Sequence, residues 1–162
     1  MAVAAPRSLI LIRVLVGTVF LSEGIQKFVY PAELGVGRFT KIGIPAPELT
    51  APFVGVLEIA CGLLVLAGLL TRVAALLLTL DMLVAWFTTK LPILLGASFW
   101  GFELRPMKHY GWWSMLHEAR TDWAMLLCSL FLLTVGAGPW SVDGRWAASR
   151  TQQPSVRDHH TR

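Results

Sequence analysis

The chain has 162 residues, a net charge of +4, and a composition that is 55% hydrophobic but only 15% charged. Soluble domains carry roughly 25% charged residues, so this deficit, with a mean hydropathy of +0.61, points to an integral membrane protein of one compact unit. The basic residues are scattered and fit no nucleic-acid-binding motif, which excludes a nucleic-acid partner and leaves the lipid bilayer as the first expected contact.

The first apolar run covers 8–29. Arg13 and Glu23 interrupt it and no small-residue cleavage site follows, so it reads as a retained span rather than a signal peptide. Residues 30–51 follow, where Pro31, Pro45 and Pro47 break helix and 33–42 fits a short interfacial helix. Further apolar runs cover 52–70 and 72–95, joined at the GLLTR turn of Gly68 to Arg72. The segment 96–117 carries Trp100, Tyr110, Trp112 and Trp113, a density that fits an aromatic belt at the membrane surface. A fourth run covers 118–137, and a polar tail expected to be disordered begins at about Arg145.

A crossing helix needs roughly 20 apolar residues, and these runs lack strand alternation. The expected fold is therefore all-α: an integral membrane four-helix bundle, antiparallel up-down, with an interfacial aromatic loop. Residues 1–144 form the four-span transmembrane domain and 145–162 the tail. The charges flanking the spans are nearly balanced between the two sides; the tail favours cytoplasmic termini in a bacterial inner membrane.

Within these runs lie Glu23, Lys27, Glu58 and Asp122. At 1.5 Å per residue, Glu23 and Glu58 sit about 9 Å and Asp122 about 6 Å below the loop-side surface, so three helices bring three acids to a similar level. Lys27 lies one turn from Glu23, while Gly55 and Gly62 share the face of Glu58 and mark a close helix contact. Charges inside a membrane are functional candidates by default, and the group reads as a polar layer with Lys27 as charge partner. Three acids and one Lys leave an acidic excess, to be met by a retained proton, by Arg120 or by a bound cation or donor; a purely structural ion network is the alternative. Arg13 and Asp81 form a second candidate pair, and Arg72 is expected in the headgroup region. Cys61 and Cys128 share a depth of about 15 Å and are expected as free thiols. No cysteine or histidine spacing suggests a metal site.

Several segments together resemble the DoxX family: RVLVGTVFLSEGIQKF from Arg13 to Phe28, GIPAP at 43–47, VGVLEIACGLLVLAGLLTRVAALLL at 54–78 and GAGPWSVD at 136–143. The resemblance extends over about 8–143, and its most specific part is the LE-x-x-x-G and GLxTR spacing. It implies a small four-helix membrane protein of redox or oxidative-stress complexes, with a defined activity in the related DoxD-type subunits of thiosulfate:quinone oxidoreductase. It carries over to Lys27, Glu58, Arg72 and the acid at Asp122, where Glu is common. The chain departs from the pattern at Glu23, where His is frequent, and at Asp81, usually apolar.

The functional expectation is a redox-associated membrane subunit, a candidate part of a quinone-linked oxidoreductase. In it Glu23, Glu58 and Asp122 handle protons, and Gln26, Trp112 and Trp113 line a quinone slot. The alternatives are a non-catalytic anchor or assembly partner and, more remotely, a small transporter. A soluble or membrane redox partner is implied, and self-association is left open.

Overall fold

The computed structural model describes residues 6–151, and among them the chain is all-helical apart from an isolated bridge between Phe99 and Phe102. The helices are α1 (Leu9–Val29), α2 (Val36–Ile42), α3 (Pro47–Ala67), α4 (Thr71–Ala85), α5 (Leu91–Leu95), α6 (Trp112–Glu118), α7 (Arg120–Val135) and α8 (Val142–Thr151). A π turn, Trp86–Lys90, joins α4 to α5. Residues 145–151 of the expected tail continue α8; the rest of that tail lies outside the described residues.

Local chemistry sets the boundaries. Gly43 takes a left-handed φ of 84° and ends α2, with its N–H and that of Ile44 returning to Phe39 O. Pro47 opens α3 at a position where no N–H is needed, five residues ahead of the expected start at 52. Gly68, at φ 68°, ends α3 and starts the tight turn into α4. The π turn has a cause downstream: Pro92 lacks the N–H that Thr88 O would accept. The hydroxyls of Thr88 and Thr89 donate to Val84 O and Ala85 O at 2.9 and 2.6 Å, which keeps the widened turn saturated in an apolar setting.

Three segments are long and apolar enough to cross a membrane, Leu9–Val29, Pro47–Ala67 and Thr71–Leu95. The fourth expected span forms the 16-residue α7, about 24 Å long and shorter than the usual crossing. One core cluster joins Val16 and Phe20 of α1, Val65 of α3, Leu78 of α4 and Leu132 of α7. Cys61 and Cys128, both free thiols, pack in or against it. Leu11, Phe53, Val73 and Val84 point outward and are more than half exposed, an outer surface that suits lipid rather than water.

The tightest seam lies between α1 and α3. A Cβ on Gly17 would stand 2.8 Å from Gly62 O, and one on Gly24 would stand 2.7 Å from Gly55 O. Small residues thus bring the two backbones into contact. The two long connections also meet, since Glu103 N donates to Ile42 O at 2.8 Å.

Candidate functional site

The α1–α3 seam carries the charged centre. The buried faces of both helices follow helical spacing: Arg13, Val16, Gly17, Phe20 and Gly24 on α1, and Gly55, Glu58, Cys61, Gly62 and Val65 on α3. Lys27, three residues beyond Gly24, reaches Glu58, whose Oε2 lies 2.5 Å from Nζ. Helical side chains lean towards their own N-terminus, so Lys27 points deeper along α1 while Glu58 leans towards it. The pair is largely shielded, with side-chain exposures of 11% and 5%.

Asp81 of α4 completes the centre. It stands near Glu58 and Lys27 and interacts electrostatically with both. Its Oδ2 is buried without a hydrogen-bond partner. Two acids beside one ammonium leave one negative charge in excess, which costs free energy in a low-dielectric setting.

The other expected members are placed elsewhere. Glu23 is exposed on α1 and only its charge reaches Glu58. Asp122 turns to Lys90 of the π turn, with Oδ2 3.0 Å from Nζ. Gln26 donates to Ser22 on the exposed side of α1 at 2.8 Å. Trp112 and Trp113 are 56% and 81% exposed, so neither is sequestered over the buried acids. Arg120 is exposed as well.

Arg13 does not pair with Asp81. Although 98% shielded, it donates from Nε to Val65 O at 2.9 Å, from Nη2 to Leu66 O at 2.5 Å and from Nη1 to Trp140 O at 2.6 Å. One guanidinium thus saturates the carbonyl end of α3 and ties it to the segment after α7. Asp143, which the sequence reading passed over, caps α4: its two oxygens accept from Leu70 N and Thr71 N at 2.9 and 3.0 Å. An Asp placed after a GAGPWSV turn is the available signal, but only the fold shows which helix it caps. Arg72 donates to Thr134 O at 3.1 Å, closing the end of α7.

Buried ionic groups between helices with lipid-suited outer faces define an integral membrane protein. The chain belongs to the DoxX family, whose profile matches residues 8–91. A relative from Mycobacterium tuberculosis, the uncharacterized membrane protein Rv3486, is 55% identical over 146 residues, covering 90% of this chain and 85% of its own. No solved structure matches. Among the described residues, no group of His, Cys, Asp and Glu is suited to holding a metal ion.

Proposed function

We propose that this protein is a redox-associated subunit of a bacterial inner membrane whose Lys27–Glu58–Asp81 cluster exchanges protons with a quinol. The observation that carries the reading is the nearness of two shielded carboxyls, Glu58 and Asp81, to one ammonium inside the helix assembly. A quinol gives up two protons and two electrons on oxidation. The carboxyl pair offers a place for a proton; the electrons require an acceptor on a partner subunit. Gln26, Trp112 and Trp113 stay at the lipid-facing rim in this reading, where an entering ring meets them before the acids.

The reading includes a topology. The spans α1, α3, α4–α5 and α7 form an antiparallel four-helix bundle, with α7 completing the crossing and the termini in the cytoplasm. The register of the α1–α3 seam supports it: Gly17 faces Gly62 and Gly24 faces Gly55, so the numbers run in opposite directions.

The test is quinol-dependent dye reduction in membranes that contain the protein with its native partners. Glu58→Gln keeps hydrogen-bonding capacity but cannot take up a proton, and should abolish turnover with a smaller drop in melting temperature than Lys27→Met. The closeness of the Lys27–Glu58 pair favours one second reading, a non-catalytic anchor held together by its ion cluster. Full activity and full partner recovery in Glu58→Gln would select it.

A further inference from the structure

A second site lies away from the buried cluster. A cavity of about 510 Å³ opens where α2, the π turn, α5 and the 103–106 segment meet, a volume typical of small-molecule sites. Its walls come from the segments that leave the spans after Val29 and around Leu95. It therefore lies at the level of lipid headgroups rather than in the hydrocarbon. The Glu103 N to Ile42 O bond at 2.8 Å holds the two long connections together at its wall. Leu34, Ile42, Ile93 and Leu104 supply apolar lining.

The charged lining divides in two. Lys90 is spent on Asp122 and Arg105 on Glu118, at 3.0 and 2.7 Å, and these pairs neutralise themselves. Arg38 and Lys41, and against them Glu33 and Glu103, have no ion pair among the described residues. Glu103 accepts a hydroxyl, from Ser98 at 2.9 Å. Two unpaired cations and two unpaired carboxylates thus line one cavity with no net charge between them. A ligand of a single sign gains from one half of this set and is repelled by the other. A ligand that carries both signs gains from each. Because the opposite charges do not close on one another, donors and acceptors are both left for it.

We propose that this cavity binds a zwitterion, with its ammonium on Glu33 and Glu103, its anionic group on Arg38 and Lys41, and its apolar body against the Leu and Ile lining. A phospholipid headgroup of the ethanolamine type carries this chemistry, and so does the free glycerophosphoethanolamine. The N–H groups of the ammonium matter, because a carboxylate accepts from them and a quaternary ammonium has none. The site shares no residue with the Lys27–Glu58–Asp81 cluster and does not depend on the quinol reading.

The test is titration of the purified protein, in nanodiscs of phosphatidylcholine, with three probes: short-chain phosphatidylethanolamine, glycerophosphoethanolamine and short-chain phosphatidic acid. Phosphatidylethanolamine should bind saturably and about tenfold or more tighter than phosphatidic acid, which has no ammonium. Equal affinity for glycerophosphoethanolamine assigns the source to a free zwitterion; weaker binding of it assigns the source to the lipid. Arg38→Gln with Lys41→Gln, and separately Glu33→Gln with Glu103→Gln, should each weaken phosphatidylethanolamine binding by about tenfold or more, the scale of one charge-assisted hydrogen bond. Lys108→Gln and Glu48→Gln, charges outside the cavity lining, should leave it unchanged. All four lining positions are exposed, so melting temperatures should match the parent. The parent's own preference between the two lipids decides the matter even where a variant folds poorly. Absence of phosphatidylethanolamine binding, or equally tight binding of phosphatidic acid, overturns the proposal. So does an affinity that is unchanged or raised when the two acids are removed, which would mark plain attraction of an anion to surface cations.

Discussion

The two ends of the helix assembly use their cations in opposite ways. At the α3–α4 turn, all three guanidinium nitrogens of Arg13 donate to backbone carbonyls, and Asp143 closes the facing N–H groups of α4. At the other end, Lys90 and Arg105 meet carboxylates, and Arg38 and Lys41 have no ion pair among the described residues. A cation satisfied by backbone fixes geometry and has little left to offer a ligand. A cation satisfied by one carboxylate keeps spare donors. One end is therefore a clamp and the other a looser junction held by side-chain pairs, with the Lys27–Glu58–Asp81 centre between the helices.

The largest effect should come from the clamp. Arg13→Met removes several charge-assisted bonds, worth roughly 1.5–3 kcal/mol each, and should destabilise by on the order of 3–5 kcal/mol. Arg13→Lys should rescue little, because one compact ammonium cannot span carbonyls from two segments. Thermal melting in detergent or nanodiscs checks both; a Lys variant that melts like the parent breaks the contrast between the two ends.

Next comes Lys27→Met. It leaves two facing carboxyls without their cation, and breaking a buried pair costs about 3–5 kcal/mol. Glu58→Gln and Asp81→Asn should each be milder, because each lowers the acidic excess and keeps polar contacts. Melting temperatures that rank Lys27→Met no lower than these two would disprove the cluster as drawn. The seam should then follow: Gly24→Ala forces a Cβ to within 2.7 Å of Gly55 O, and overpacking of this kind costs typically 1–3 kcal/mol.

Much of this was legible in the residues, and the failures have physical reasons. Apolar length alone located the first three spans, and the Gly55–Glu58–Gly62 spacing turned Glu58 inward as found. Rise per residue gives depth but not the neighbour. It placed Asp122 near the level of the other acids, yet Lys90 takes it, because the π turn changes the phase of that cation in a way no periodicity reveals. Asp81 was assignable by the same arithmetic. Counted from the α3–α4 turn, it lies ten residues into α4, about 15 Å, and Glu58 nine residues into α3, about 14 Å. That puts the two acids level and leaves Arg13 with the turn itself. Arg38 and Lys41 read only as topology charges, since a cavity formed by two loops has no local signature.

The smallest effect sharpens the comparison most, because it separates the clamp's two halves. Asp143 accepts from the first N–H groups of α4 through both oxygens, a cap supplied from more than seventy residues away. Loss of a cap costs typically about 1 kcal/mol, so Asp143→Ala should lower stability by roughly that amount and Asp143→Asn by less, since one amide oxygen still accepts. Arg13 contacts Trp140 O through the backbone of the same segment, so the two losses should be non-additive: once Arg13 is gone, the 136–143 segment no longer presents Asp143 to the turn. A double variant Arg13→Met with Asp143→Ala should therefore melt close to Arg13→Met alone. Strict additivity in that cycle would show two independent caps rather than one clamp.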